Sequence, residues 1–295
     1  MTEPAPTPLE PTPGARARAA LTQTRFGDVR WVHQTGSTNA DVLELARHGG
    51  REGIVVVADH QTAGRGRRGR SWEAPPGAAL MATVLFRPPA RVVGLTTMAV
   101  ALAAAEAVET LTGVVARLKW PNDLVWPGDG SDDDRKLAGI LAEADWPAGS
   151  TVASGWSEPS PNQRVVVAVG IGINVAWGDQ FPDELQSTAV SLDGAAVSGV
   201  APDREDLLVA MLLALDRWYP LLLAGEEGVA QLRSSWRDCS ATLGRRVRVD
   251  LGVDDLIGTA VDVTTEGHLV IETLEGERRT IAVGDVVHLR PAAPE

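Results

Sequence analysis

Cysteine and long apolar runs are scarce in this sequence, and basic residues are outnumbered by acidic ones. A single cysteine, Cys239, excludes an internal disulfide framework and a cysteine-based zinc site, and it is typical of a reducing compartment, here the cytoplasm. No run reaches the roughly 18 uninterrupted apolar residues of a membrane helix, so we expect no membrane segment. The 39 acidic residues exceed the 27 basic ones, for a net charge of -12. This excess argues against broad binding to a nucleic-acid backbone, although a local basic patch can coexist with it.

Lysine is scarce as well. Lys119 and Lys136 are the only lysines, against 25 arginines. Because arginine serves almost everywhere that a cation is needed, each remaining lysine is a candidate for a position that needs a compact charge with an adjustable pKa; chance retention is the alternative. Asp123 follows a proline turn, where it is either a turn residue or a carboxylate directed into a site.

Three regions differ in composition and pattern. Five prolines fall within the first 13 positions, and we expect a disordered Pro/Ala-rich tail over residues 1–24. Residues 25–240 mix strand-like and helix-like segments, which indicates one α/β domain. Residues 241–295 carry short alternating runs between glycine-containing turns, which predict a small appended β-barrel.

Apolar periodicity and capping residues predict the individual elements. Strands are expected at 29–33, 53–59, 78–86, 114–119, 137–144 and 164–169, with a turn at 121–123. Helices are expected from 35–39 to residue 47 and at 96–111, 207–219 and 228–238. The barrel strands are expected at 247–250, 256–263, 269–273, 280–283 and 286–289.

An arginine-glycine loop follows the second strand. Its spacing Gly64-x-Gly66-x-x-Gly69 matches the dinucleotide fingerprint, and Gly64-x4-Gly69-Arg70 followed by serine matches a Walker A motif with arginine in place of lysine. Both motifs require a helix after the loop, whereas this chain continues into Pro75 and its neighbouring proline. The loop therefore fits a site where arginine forks bind phosphate or carboxylate. A solvated basic loop or an RNA-binding segment remains the alternative.

Five segments in order carry a family resemblance: Ser37-Thr38-Asn39; Gln61-Thr62-Ala63-Gly64-Arg65-Gly66-Arg67-Arg68-Gly69-Arg70-Ser71-Trp72; Lys119-Trp120-Pro121-Asn122-Asp123-Leu124; Arg135-Lys136-Leu137-Ala138-Gly139-Ile140-Leu141; and Gly170-Ile171-Gly172-Ile173-Asn174-Val175. They closely resemble the motifs of biotin protein ligases over about residues 28–290. The resemblance implies an α+β fold, with a catalytic domain of the class II aminoacyl-tRNA-synthetase/biotin-ligase type, a mixed sheet with flanking helices, and an SH3-like C-terminal β-barrel.

The resemblance also implies a reaction in two steps. Biotin carboxylate attacks the α-phosphate of ATP to give biotinyl-5′-adenylate and pyrophosphate. Mg²⁺ is expected on the ATP phosphates, and no certain metal site is expected on the protein. A lysine of a biotin carboxyl carrier domain of an acyl-CoA carboxylase then takes the biotinyl group and AMP leaves.

Residue roles follow from the same resemblance. Arg67, Lys136 and Asp123 are the implied catalytic residues, with Asp123 orienting or deprotonating the acceptor lysine. The implied biotin contacts are Ser37, Thr38, Asn39, Gln61, Arg65, Gly66, Arg67, Lys136 and Gly139. The implied ATP or adenylate contacts are Arg65, Arg67, Arg68, Arg70, Trp72, Asn122, Lys136, Asn174 and Arg290. Plain helix capping, with Thr38 and Asp41 as a capping box, is an alternative role for the first segment, and core packing is one for Trp72.

Other interpretations stay open at this point. Some biotin ligases carry an N-terminal helix-turn-helix of about 60 residues, and since only about 25 precede the core here we expect no DNA-binding role. Where some relatives have an adenine-stacking tryptophan this chain has Ala189, so Trp177 or Trp72 is the substitute. The acidic turn at 127–134 is expected to be a solvated hairpin loop. A lipoate-protein ligase is the nearest alternative enzyme, and a nucleic-acid-binding module is the alternative from another class.

Overall fold

The computed structural model describes residues 13–127, 134–145, 159–251, 255–282 and 284–288. The helices are α1 (Ala15–Ala20), α2 (Thr38–Arg47), α3 (Thr96–Thr112), α4 (Leu192–Ala195), α5 (Arg204–Leu223) and α6 (Glu226–Asp238). The strands are β1 (Val29–Thr35), β2 (Val55–Gln61), β3 (Ala79–Phe86), β4 (Arg117–Lys119), β5 (Asp123–Trp126), β6 (Arg135–Asp145), β7 (Val166–Asn174), β8 (Arg246–Asp250), β9 (Asp255–Val263), β10 (Leu269–Thr273), β11 (Arg278–Ile281) and β12 (Asp285–His288).

Two sheets organise the described residues. The larger has seven strands in the order β1-β2-β3-β7-β6-β5-β4; β1 and β2 are parallel and the remaining pairs are antiparallel. The smaller is antiparallel, in the order β11-β10-β9-β8-β12. Strand β7 runs past the predicted end at 169, because Gly170 and Gly172 continue the ladder with β6 despite their weak strand preference. The predicted turn at 121–123 leads directly into β5, which the sequence pattern missed.

Helices cover the larger sheet unequally. Helices α3 and α5 pack with it in the main core, which explains why Leu102 and Leu212 are buried. The segment Ala90–Thr112 is long and apolar enough to cross a membrane by composition, yet 72% of its most apolar window is buried inside the protein. Helix α2 packs through Val42 and Ala46 on a separate cluster with β2, β3 and β7. Its N-terminus therefore lies against the larger sheet, where its first residues are buried.

The predicted N-terminal tail is too long. Helix α1 lies within residues 1–24, and its Ala17 and the following Leu21 are completely buried in the main core. Arg16 also pairs with three carboxylates at the start of α5, those of Asp203, Glu205 and Asp206. Burial by a helix nearly 190 positions away is a long-range effect that local composition does not reveal.

Leu21 gives a direct test of this correction. We expect Leu21→Ala to lower the free energy of unfolding by about 2–5 kcal/mol, because it empties a buried leucine position. Gln23→Ala changes a neighbouring exposed residue and should leave the free energy of unfolding nearly unchanged. Urea unfolding measures both free energies. Equal stabilities for the two variants would support the original prediction of a disordered tail over residues 1–24.

A polar junction joins the two sheets. Backbone bonds connect Leu118 of β4 to the segment after α6, and the Trp120 backbone N–H donates to the Thr242 hydroxyl at 3.0 Å. Asp134, at the end of the acidic turn, is almost completely buried between Arg245 and His288, with both partners at 2.9 Å. Residues 128–133 of the predicted solvated loop lie outside the described residues, but Asp134 is not solvated. It anchors the C-terminal sheet to β6.

Burial lowers the pKa of His288 below its ordinary value of about 6.5, against the opposing hydrogen bond with Asp134. The folded protein therefore binds a proton at His288 less readily than the unfolded chain does. Its contribution to stability is complete above about pH 6.5 and is lost as the pH falls further. Urea unfolding between about pH 7.5 and about pH 5.5 should show this loss in the wild type and a flatter profile in His288→Gln. His33→Gln, at a histidine whose side chain is 86% exposed, should keep the wild-type profile. Identical profiles for all three proteins would contradict the assignment.

Candidate functional site

The N-terminus of α2 presents three buried polar residues, Ser37, Thr38 and Asn39. The Thr38 backbone N–H and hydroxyl both donate to Oε1 of Gln61, at 2.8 and 3.1 Å. Ser37 is the N-cap residue and makes no side-chain cap bond, so the capping box of Thr38 with Asp41 does not form. Thr38 is instead bonded to the end of β2, and the Gln61 amide nitrogen points away from Thr38, towards Met81.

Thr83 of β3 also belongs to this polar cluster. It is the lone polar residue of the fully buried strand β3, and its hydroxyl lies 2.7 Å from both Thr38 Oγ1 and Asn39 Oδ1. A buried hydroxyl without partners would be costly, so the three side chains hold each other in one arrangement. Thr83 belongs to none of the predicted motifs, although a single threonine in an apolar strand was an available signal.

The arginine-glycine loop folds back on itself beside this cluster. Gly66 N–H donates to the Arg70 carbonyl at 2.7 Å, and Trp72 N–H donates to the Gly64 carbonyl at 3.0 Å. At the tip Arg68 has a φ of 56°, a left-handed conformation that is uncommon outside glycine. No phosphate-binding helix of the Rossmann or Walker type follows the loop, as the sequence predicted from its prolines.

Arg67 connects the loop to both domains. Its guanidinium donates to Asn122 Oδ1 at 3.3 Å and to the Gly284 carbonyl, before β12, at 3.2 and 3.3 Å. Asn122 is itself fixed, because its amide nitrogen donates to the Ile140 carbonyl at 2.8 Å. Its oxygen is therefore turned to Arg67. The loop, the 121–123 turn and the C-terminal sheet meet at this one arginine.

Lys136 and Trp72 form the floor of the site with two glycines. The Lys136 ammonium lies 2.7 Å from Asp123 Oδ1 and 5.8 Å from the centre of the Trp72 ring. Gly139 and Gly172 are register partners on β6 and β7, and a Cβ on Gly172 would lie 2.5 Å from the indole. Only glycine lets the tryptophan approach the sheet this closely. Trp72 packs on the sheet and also lines the cleft.

The two lysines differ in environment. Burial lowers the pKa of Lys119, although the charges of Asp123 and Asp134 oppose this effect. Lys119 does not line the cleft, whereas Lys136 does. Of the two scarce lysines, one therefore lines the cleft and the other is half-buried beside it.

One cleft collects most of the predicted residues. Those that line it are Ser37, Thr38, Asn39, Gln61, Arg65, Gly66, Arg67, Arg70, Trp72, Asn122, Lys136 and Gly139. Four of them are cations, so the cleft suits a ligand with several negative charges, while the amide and hydroxyl groups near α2 suit a neutral polar ring. Asp123 does not line the cleft but contacts it through its ion pair with Lys136.

Besides Asp123, three predicted residues of the described part of the chain do not line the cleft. Arg68 pairs with Asp250 of the C-terminal sheet at 2.9 Å. Asn174 is buried, and its amide nitrogen donates to the Val190 carbonyl at 3.2 Å. Trp177 packs on Phe181 beside a neighbouring groove. Arg290 lies outside the described residues.

Family comparisons match both parts of the chain. The Biotin/lipoate A/B protein ligase family matches residues 31–152, and the Biotin protein ligase C terminal domain matches residues 242–289. A biotin–[acetyl-CoA-carboxylase] ligase of Mycobacterium tuberculosis is 37% identical over 267 residues, covering 88% of each chain. The bifunctional ligase/repressor BirA of Bacillus subtilis is 31% identical over 245 residues, which are 82% of this chain and 69% of BirA.

Solved structures of biotin protein ligases are also similar to this chain. The biotin protein ligase from Aquifex aeolicus in complex with biotin and ATP is similar, with a TM-score of 0.67 and 26% identity over 90% of this chain and all of that one. A biotin protein ligase from Leishmania major with bound biotinyl-5-AMP has a TM-score of 0.52 at 23% identity, a likeness that concerns the fold alone.

Proposed function

This chain belongs to the biotin protein ligase family, and on that premise we propose how its own residues carry out the ATP-dependent ligation of biotin. The predicted fold class is confirmed, and the lipoate and nucleic-acid alternatives receive no support from the relatives. The observation that carries the proposal is a cleft in which four cations adjoin a cluster of neutral hydrogen-bonding groups.

Biotin has two chemically different ends, and the cleft has two matching parts. Its ureido ring offers N–H donors and one carbonyl, which suit the hydroxyls of Ser37 and Thr38 and the amides of Asn39 and Gln61. Its carboxylate suits the basic side chains Arg65, Arg67 and Lys136. The Trp72 indole provides an apolar surface in the same cleft. This match agrees with the solved relative that binds biotin together with ATP.

In the first step a biotin carboxylate oxygen attacks the α-phosphorus of ATP. The bond from that phosphorus to the bridging oxygen breaks, and pyrophosphate leaves with the electron pair. Two anions must approach each other, so the cations of the cleft lower the barrier by offsetting their repulsion and the charge that develops in the transition state. Magnesium enters with the ATP phosphates as part of the substrate, because the cleft groups are anion-binding cations rather than metal ligands.

In the second step a lysine amine of a carrier domain attacks the carbonyl carbon of the adenylate. The new amide bond displaces AMP, and the amine must lose a proton. Asp123 pairs with Lys136 at the cleft and is the group we assign to orient the amine or to accept that proton. A biotin carboxyl carrier domain of an acyl-CoA carboxylase is the proposed acceptor, and the cytoplasm, suggested by the single free cysteine, is the proposed compartment.

Transfer to a carrier domain tests this function. The protein is incubated with biotin, ATP and Mg²⁺, together with a biotin carboxyl carrier domain or the same domain with its acceptor lysine changed to arginine. We expect biotin on the first domain only, and only when ATP is present, by intact-mass analysis. Equal labelling of both domains, or none on either, would contradict the proposed function.

A further inference from the structure

Glu143 touches the proposed biotin site from a position that no motif predicts. It lies on β6, on the same face of the strand as Gly139 and Leu141, because alternate residues of a strand share a face. Asp145, the next residue on this face, pairs with Arg47 at the end of α2. The Glu143 side chain is only 26% exposed.

The two carboxylate oxygens of Glu143 serve two different residues. Oε2 accepts a hydrogen bond from Asn39 Nδ2 at 2.7 Å, and Oε1 pairs with Arg65 Nη1 at 3.0 Å. Asn39 belongs to the polar end of the cleft and Arg65 to its cationic end. One carboxylate therefore joins the two parts of the site that the two ends of biotin would occupy.

On the basis of the proposed function, we propose that Glu143 is a positioning residue, which sets the orientation of the Asn39 amide and thereby the affinity for biotin. An ionised carboxylate can only accept hydrogen bonds, so the amide nitrogen of Asn39 must face it. The Leu141 carbonyl, 3.2 Å from the same nitrogen, imposes the same orientation. The Asn39 oxygen is then directed to the Thr83 hydroxyl at 2.7 Å and to the cleft wall at Gly170.

Glutamine at position 143 would disrupt this hydrogen-bond arrangement while keeping the size of the side chain. It has one acceptor oxygen, and the cation of Arg65 competes for it more strongly than a neutral amide does. The glutamine amide nitrogen would then face the Asn39 nitrogen, donor against donor. Asn39 must then either turn over, against the Leu141 carbonyl, or lose its bond to position 143, and in either case its oxygen is held less firmly towards the ureido ring.

Biotin-dependent exchange of pyrophosphate into ATP measures the consequence. We expect Glu143→Gln to raise the KM for biotin by about 10- to 100-fold, as for loss of a charge-assisted hydrogen bond, with kcat changed by less than about threefold. Asp145→Asn removes a carboxylate–arginine pair from the same face of β6, outside the cleft, and should leave the KM for biotin unchanged.

A double variant separates positioning from a general structural effect. In an Asn39→Ala background the added Glu143→Gln change should alter the KM for biotin by less than about threefold, because the Asn39 amide through which Glu143 acts is already absent. Full additivity, a wild-type KM in Glu143→Gln, or an equal rise in Asp145→Asn would each overturn the inference while leaving the proposed function intact. Absence of biotin-dependent exchange in the wild type would overturn the proposed function, and this inference with it.

Discussion

Replacement of Lys136 by methionine is expected to lower kcat for biotin-dependent pyrophosphate exchange by about 10²- to 10³-fold, the usual cost of removing one group that stabilises transition-state charge. Methionine keeps most of the side-chain length and removes the ammonium that lies beside Asp123 and below Trp72. Lys136→Arg should recover only part of the loss. It restores the charge, but its planar fork replaces a compact ammonium in a floor already filled by the indole.

Arg135→Met is the matched control for this experiment. Arg135 is the adjacent residue of β6, and its guanidinium stacks 4.6 Å from the Trp126 ring, outside the cleft. We expect its exchange rate to stay within about threefold of the wild type. The account would be contradicted if Lys136→Met unfolds like the wild type and keeps most of its exchange rate. Lys136 would then have no role in the first step.

Replacement of Arg67 by glycine is expected to release the adenylate before transfer, and so to raise the labelling of bystander protein by about tenfold or more. Arg67 holds the loop to Asn122 and to the backbone at Gly284, and glycine removes all three hydrogen bonds at once. The loop then no longer closes the cationic end of the cleft. A freed acyl-adenylate reacts with any accessible lysine, so selectivity for the carrier domain should fall.

Biotin labelling of serum albumin, in the presence of a carrier domain, measures this loss of selectivity. Arg30→Ala serves as the control, because it removes an exposed arginine of the edge strand β1 that pairs with Asp28. Its labelling of albumin should equal that of the wild type. If Arg67→Gly labels albumin no more than Arg30→Ala does, Arg67 does not retain the adenylate.

Local patterns predicted most of the fold. The apolar spacing of α3 and α5 and the alternation in β8 to β10 placed these elements within a few residues of their bounds. The cleft was predicted through the family motifs rather than through periodicity, since Gln61, the arginine-glycine loop and Lys136 are widely separated in the chain. The prolines after the loop also excluded the Rossmann and Walker interpretations, as the strand–loop–strand arrangement confirms.

The remaining features depend on contacts between distant segments. Leu21 lies in a segment with the composition of a tail, and only its burial in the main core reveals its role. Asn174 continues a motif but its amide bonds to Val190 instead of entering the cleft. Asp134 ends an acidic run, yet Arg245 and His288 of the other sheet bury it. In each case the partner is more than ten positions away, where neither composition nor spacing identifies it.

Incorporation of labelled pyrophosphate into ATP, with biotin or lipoate as the only carboxylic acid, tests the central claim most directly. The account predicts exchange that needs Mg²⁺ and biotin and stays at background with lipoate, because the cleft provides hydrogen-bonding partners for a ureido ring. Exchange of equal rate with lipoate, or no exchange with biotin, would contradict it.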